Sequence, residues 1–415
     1  MKRVICVLLL LALCLCACGK TETPAPTEPA KPVEKLVPKP LTWADIDAIP
    51  IATADMTEEE LRQICIDYFR LQLSFQWTPK EDLIYEITGY RKPAAFPAGT
   101  VYAGLPYMNP SHVGNLYVLM EYYDPETGLL DNSGMGQQTF ADRIGNNCAS
   151  GSFWGWARVV NSVINHSCRY ATKSFGFLPV GPYTYDDSIL DWNPDTPTAA
   201  VCRENGEQTM FASYAALKPA DGVVVHHGTP GDAHMRMISR EVVVAYNPDG
   251  SIDGSNSYIT FLDQTSNPTA TTMDGHPVVV EGGLDRTHTF RSMFNEGYLP
   301  FTFAELIGQD PVEPAEVWLK LPKGASSTFN HMRRGTVSSN YTISHLTLTV
   351  EDRDGKEVYR NVSYLPEHNL FTTTLFSLMP LAELEPYTGE DYTATIACRV
   401  STGQLLTVWT GNLTE

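Results

Sequence analysis

The chain has 415 residues, 43% of them hydrophobic and 10% aromatic, with 29 basic residues against 48 acidic ones and a formal charge of −19. That length exceeds what one ordinary core fills and implies two folded domains with accessory segments. The aromatic content argues against disorder over most of the chain. So acidic a chain has nothing to neutralise phosphates along a strand, which argues against nucleic acid as a partner, and it disfavours a broad electrostatic grip on anionic lipid. The patterns GxxxxGK[ST], HExxH and GxSxG are all missing from the sequence. P-loop, zincin and α/β-hydrolase chemistries therefore lose their usual support.

Residues 1–18 read MKRVICVLLLLALCLCAC. Lys2 and Arg3 form a positive start, and Val4 to Ala17 form an apolar run too short to span a bilayer. Leu15-Cys16-Ala17-Cys18 resembles the lipobox of bacterial lipoprotein signal peptides. That resemblance implies cleavage before Cys18, a diacylglyceryl group on its sulfur, and an extracytoplasmic protein held to the cell membrane by lipid. The next stretch, KTETPAPTEPAKPVEKLVPKP, is proline-rich and of mixed charge, an extended spacer of about 60 Å at ~3.1 Å per residue. The organisation expected is a signal peptide over 1–17, the lipidated Cys and linker over 18–41, a folded domain over 42–320 and a β-module over 321–415.

Beyond Cys18 the cysteines are Cys65, Cys148, Cys168, Cys202 and Cys398, an odd and scattered set without CxxC. This is not a disulfide framework, and at least one thiol stays free. Thr57-Glu-Glu-Glu60 is a capping box ahead of Leu61, Ile64, Cys65, Tyr68 and Phe69 at helical spacing, so a helix is predicted over about 58–75. A second helix is predicted from Ala149 to about Ile164. Gly222–His226, Met235–Tyr246, Ser257–Leu262 and Pro277–Glu281 read as strands of one antiparallel sheet, with Asn247-Pro-Asp-Gly250 as a turn between two of them. After the prolines at 311, 314 and 322 the pattern is purely β: Tyr341–Glu351, the turn Asp352–Gly355, Val358–Tyr364, Asp391–Val400 and Leu405–Trp409. That spacing predicts a β-sandwich module.

Three segments carry chemistry. In Gly145-Asn-Asn-Cys148-Ala-Ser-Gly-Ser-Phe-Trp, a polar loop delivers a Cys to the start of a helix. There the positive dipole end favours thiolate and backbone amides suit an oxyanion. In Leu217-Lys-Pro-Ala-Asp-Gly-Val-Val-Val225, followed by Asp232-Ala-His234-Met-Arg-Met-Ile238, a His opens a strand after a glycine-containing turn, a suitable base for that thiol. In Ser257-Tyr-Ile-Thr-Phe-Leu-Asp-Gln264, a strand ends in two polar residues. Either Asp263 or Gln264 can accept from the imidazole and fix its tautomer, and period-2 alternation allows only one of them to face it.

The Cys at a helix start, then LKPADGVVV and DAHMRMI in that order, resemble the NlpC/P60 and CHAP branches of the papain-like cysteine peptidases. The resemblance spans about 145–265. It implies an α+β fold, with the Cys helix packed on a small antiparallel sheet. It also implies Cys148 as nucleophile, His234 as base, Asp263 or Gln264 as the orienting residue, and no cofactor. The substrate it implies is a peptide or amide bond of peptidoglycan. Three features depart from the family pattern: Asn147 and Ala149 flank the Cys, the turn reads Pro219-Ala-Asp221 instead of Pro-Gly-Asp, and the Cys–His interval is long. The rival reading is a non-catalytic binding lipoprotein on a papain-like scaffold, with Cys148 structural; a third is transfer of the acyl group to an amine instead of hydrolysis.

Other residues read as packing. His226 and His227 point to opposite faces of a strand and lack partners at ligand spacing, so no metal is expected. Phe153, Trp154 and Trp156 read as a helix face against the sheet. Tyr102, Tyr107, Tyr117, Tyr122 and Tyr123 are candidates for a substrate groove. The β-module is expected to position the enzyme or to bind a wall or protein ligand.

Overall fold

The computed structural model describes residues 39–85, 94–107, 114–161, 176–186, 197–228, 233–273, 276–324, 328–364 and 371–414. The signal segment, Cys18, most of the linker and Cys168 lie outside them. The architecture is α+β. Six helices frame the site: α1 Trp43–Asp47, α2 Glu58–Ser74, α3 Cys148–Trp156, α4 Thr198–Asn205, α5 Glu207–Ala215 and α6 Phe290–Glu296. Strands β1 Gly222–His226, β2 Ala233–Ile238, β3 Tyr258–Met273, β4 His276–Thr289 and β5 Leu299–Thr302 make the centre of an eight-stranded sheet. Across that sheet the order is 83–85, 94–96, β4, β3, β2, β1, β5, 178–179, antiparallel throughout its centre. A smaller sheet orders 102–103, 76–79, 129–130 and 123–124.

The local causes are visible in the residues. The Thr57–Glu60 capping box forms as expected, with the Glu60 carboxylate accepting from the Thr57 amide at 2.8 Å. The face of α2 that carries Ile64, Cys65, Tyr68, Phe69 and Leu73 is buried. Helix α3 lies against α2, β2 and β3, and it can do so because it presents glycine where they meet. A Cβ on Gly151 would stand 2.9 Å from the Gln264 Cβ, and one on Gly155 would stand 2.8 Å from the Met237 Cε. The Trp156 indole donates to the Ala220 carbonyl at 2.7 Å and packs on Phe301 and Phe303. Burying each such aromatic contributes roughly 1.5–3 kcal/mol.

Several element boundaries differ from the sequence pattern. Helix α3 starts at Cys148 and ends at Trp156, well short of Ile164; just past its end the Ser401 hydroxyl donates to the Ala157 carbonyl at 2.7 Å. Strand β2 stops at Ile238 instead of running to Tyr246, where Ser239 and Arg240 turn to bond Asp285. The runs at Ser257 and Pro277 extend into the long hairpin β3–β4.

Strand β6 (Val317–Lys320) already belongs to the C-terminal part, pairing with β7 (Thr336–Ser339), which pairs with β10 (Thr372–Thr374). A four-stranded antiparallel sheet follows, built from β8 Ile343–Glu351, β9 Glu357–Tyr364, β11 Thr393–Val400 and β12 Leu405–Gly411 in the order β9, β8, β11, β12. The described residues belong to one compact unit, and their buried side chains form one cluster from Leu41 to Leu413. Polar contacts cross residue 320 as well. Ser344 Oγ donates to Asn115 Oδ1 at 3.1 Å, and the Tyr341 hydroxyl sits between the Glu313 and Val159 carbonyls at 2.9 and 3.3 Å.

Candidate functional site

Cys148 is the first residue of α3. Asn147 caps the helix, its side-chain oxygen accepting from the amides of Ala149 and Ser150 at 3.1 and 3.0 Å, while its own amide donates to Ser150 Oγ at 2.8 Å. Asn147 is thus the residue that starts the helix. The Asn146 side chain takes part in the same polar knot through Gln72 and Ser150. The positive end of α3 lies at the thiol, which stabilises negative charge there.

The second departure lies in the turn at Pro219-Ala-Asp221. In Leu217–Gly222, Ala220 sits at φ 66°, the left-handed region that favours glycine, so this turn carries a strained alanine. Asp221 then turns inward, accepting from the Lys218 amide at 2.8 Å and pairing with Arg62 of α2 at 2.8 Å. Burial raises the Asp221 carboxyl above its ordinary range even so, the neighbouring arginine offsetting only part of it. This buried pair sets the start of β1 against α2, and β1 fixes β2 through the register Val225↔His234.

His234, the second residue of β2, hydrogen-bonds the Cys148 side chain on one side. On the other, its Nε2 donates to Asp263 Oδ2 at 2.8 Å. With Nε2 committed to Asp263, Nδ1 is the nitrogen left for the thiol. Cys148 Sγ also lies 3.9 Å from the Ala233 carbonyl, at the mouth of β2. Burial alone would lower the imidazole pKa, but the hydrogen bond to Asp263 and the Cys148 thiolate outweigh it and hold His234 up at about 9. Burial would raise Asp263, yet the His234 bond and the charges of His234, Arg236 and Arg286 keep it below the ordinary carboxylate range. His234 is thus held toward its protonated form and Asp263 toward its ionised form, with Cys148 beside the imidazole. Cys148 is 8% exposed, whereas the His234 side chain is 22% exposed and Asp263 2%.

Sequence left Asp263 and Gln264 open; the structure selects Asp263. Gln264 points elsewhere, its amide donating to the Leu105 carbonyl at 2.5 Å and its Cβ packed beside Gly151, so it serves the seat of α3 and not the imidazole. Room for the Asp263 carboxylate is made by its cross-strand partner Gly283, where a Cβ would stand 2.0 Å from Oδ1.

Two residues at the site had escaped the sequence reading, Gly283 and Arg236. Arg236 Nε lies 3.5 Å from Asp263 Oδ2. The i, i+2 spacing of His234 and Arg236 on one strand was the available signal.

The remaining candidates fall elsewhere. Phe153, Trp154 and Trp156 are buried helix packing, as the sequence suggested. Tyr102 and Tyr117 are buried, Tyr117 bonding Arg158, whereas Tyr122 and Tyr123 line a cavity with Glu121, Asp124, Asp131 and Arg143, the Tyr123 hydroxyl donating to the Gln76 carbonyl at 2.6 Å. Tyr107 bridges to Asn146 beside the Cys loop, and Tyr122 bonds Arg143 at 2.5 Å. His226 is buried with its amide on Thr198 Oγ1, and His227 is exposed. Cys65, Cys202 and Cys398 are fully buried, and burial pushes their thiols up to about 12, 11 and 12. No family model matches the chain, and no curated protein and no solved structure matches it.

Proposed function

We propose that the protein is a papain-like cysteine hydrolase, acting on peptide or amide bonds of peptidoglycan. The observation that carries this reading is the single line of Cys148 at a helix start, His234 bonded to it, and Asp263 behind the imidazole. The Cys148 thiolate adds to the carbonyl carbon, and the oxyanion faces the positive end of α3. His234 passes its proton to the departing amine as the C–N bond breaks, leaving a thioester. It then takes a proton from water as the water attacks, and the thiolate leaves with a free carboxylic acid as product.

The resemblance of LKPADGVVV and DAHMRMI supports the papain-like fold. The two C-terminal sheets support the β-sandwich reading of that part. The substrate class rests on the same resemblance together with the lipobox. By the lipobox the protein is tethered to the outer face of the cell membrane through Cys18, near the wall.

The low exposure of Cys148 favours a second reading, a papain-like scaffold that binds wall peptides without cutting them. Iodoacetamide labelling of Cys148 followed by mass spectrometry across pH separates the two. Rapid labelling near neutral pH that slows or shifts upward in His234→Ala is expected, and incubation with muropeptide fragments then yields new carboxyl and amine ends that Cys148→Ala does not make. Labelling as slow as for an ordinary thiol and unchanged by His234→Ala overturns the catalytic reading. Fragments retained intact would support binding.

A further inference from the structure

The polar line does not end at Asp263. Arg236 lies two residues after His234 on β2, and its Nε stands 3.5 Å from the same Asp263 oxygen that His234 bonds. Its guanidinium is held from three further directions. The Phe261 ring of β3 lies 4.3 Å from it and the Tyr298 ring 4.6 Å, one on each neighbouring segment. Arg236 Nη1 donates to His288 Nδ1 of β4 at 2.6 Å. An arginine always carries its protons, so His288 Nδ1 must be the acceptor and its Nε2 the protonated nitrogen. That nitrogen donates to Glu296 Oε1 of α6 at 3.0 Å. The charged and titratable groups facing His288 are therefore Arg236 of β2, Asp263 of β3, Glu296 of α6 and the Tyr298 ring ahead of β5.

Asp285, on β4, is bound differently: it takes Arg70 in a two-pronged pair at 2.6 and 2.9 Å and adds Ser239 and Arg240. Arg236 instead forms a 3.5 Å ion pair with the Asp263 carboxylate, without a hydrogen bond, and donates to a neutral histidine that in turn donates to Glu296. Neither Phe261 nor Tyr298 competes for its protons.

Resting on the Cys–His–Asp reading above, we propose that Arg236 is a positioning residue that fixes the Asp263 carboxylate against His234, and that His288 and Glu296 hold Arg236 in that orientation. The working line of the site then runs Cys148, His234, Asp263, Arg236, His288, Glu296, across β2, β3, β4 and α6.

The test is the pH profile of Cys148 alkylation by iodoacetamide in the full-length protein, with thermal unfolding measured in parallel. Arg236→Met keeps an unbranched apolar stem but removes the guanidinium and its charge. It is expected to shift the labelling midpoint, because the charge it removes stands 3.5 Å from the carboxylate behind His234. His288→Leu removes the acceptor and should shift the profile in the same direction. His288→Gln, whose amide can accept from Arg236 and donate to Glu296, should restore it. A merely structural role would lower the melting temperature and leave the midpoint where it is.

An unchanged midpoint in Arg236→Met and His288→Leu, with His234→Ala still shifting it, overturns this proposal and leaves the Cys–His pair intact. Should Arg236→Met not fold, the His288 pair decides: equal profiles for Leu and Gln overturn the proposal, and a shift in Leu alone supports it. A wild-type Cys148 that labels like an ordinary thiol, unaffected by His234→Ala, overturns both this proposal and the reading on which it rests.

Discussion

Two regions of this molecule each carry a buried cysteine and a histidine on a central strand, and they treat them in opposite ways. In the central sheet, His234 meets Cys148 at a helix start with Asp263 behind it, and its pKa is held up at about 9. In the C-terminal sheet, His345 of β8 pairs with Arg399 of β11 and Leu346 pairs with Cys398, so the histidine and the cysteine face opposite sides of the sheet. There burial, together with the charges of Arg399 and Arg360, pushes His345 down to about 3, and burial alone pushes Cys398 up to about 12. A histidine and a cysteine on paired strands are therefore not by themselves a pair. His234 has a carboxylate behind the imidazole and a helix start at the neighbouring thiol, whereas the C-terminal sheet supplies arginines and apolar neighbours.

The largest break in this comparison comes from exchanging each element for an inert one. Cys148→Ala removes the nucleophile and is expected to abolish hydrolysis, whereas Cys398→Ala leaves hydrolysis intact and costs about 1–2 kcal/mol of stability from a lost core contact. Asp263→Asn keeps the shape but supplies an amide where the imidazolium needs a carboxylate. Turnover should fall by roughly 10²–10⁴-fold with the fold preserved. Turnover of muropeptide fragments and denaturant unfolding of the same preparations read both effects. If Cys398→Ala lost activity, or Asp263→Asn kept it, the distinction between the two sheets would collapse.

How much of this was legible beforehand differs between the residues. Cys148 and His234 announce themselves locally, by a polar loop before a helix and by a strand after a tight turn. Asp263 and Gln264 did not separate, because alternation says only that neighbours face opposite ways and a register irregularity sits at Asp263. Arg236 gains its meaning from β3, β4 and α6, which no short window contains. Helices α4 and α5 passed unnoticed for a physical reason as well: their N-caps are Pro197 and Gly206, neither of which offers a side-chain cap. Helix α6 did carry signals, with Thr289 bonding the Ser292 amide and Gly297 at φ 91°, but they flank a segment of only seven residues.

The two histidines should also mark opposite ends of the pH–stability curve. His345 has a folded pKa below its ordinary 6.5, so between pH 6.5 and about 3 the unfolded chain binds a proton that the folded one refuses. Stability should fall as the pH drops through that window, by ~1.4 kcal/mol per unit and up to about 5 kcal/mol in all. His345→Gln should flatten that limb. His234 has a folded pKa raised from 6.5 to about 9, so its contribution is complete below pH 6.5 and is lost as the pH rises through 9, at most about 3 kcal/mol. His234→Gln should flatten only the alkaline limb. Urea unfolding at a series of pH values compares the variants, and an acid limb unmoved by His345→Gln would contradict the buried neutral histidine.

The smallest expected effect concerns how the two regions are joined. The C-terminal part reaches the far end of the nucleophile helix, where Ser401 Oγ donates to the Ala157 carbonyl just past Trp156. A helix end leaves its last carbonyls without partners inside the helix, and a side chain from 244 residues away supplies one here. Ser401→Ala removes that donor and should cost about 1 kcal/mol in unfolding free energy, the usual net worth of such a bond. The other end of α3, nine residues long, is fixed independently by Asn147 and by Gly151 against Gln264. The alkylation midpoint of Cys148 should therefore stay at its wild-type value while stability declines. A shift of that midpoint in Ser401→Ala would mean instead that the C-terminal sheet sets the position of the thiol, and that the inert Cys–His sheet is part of the reactive one.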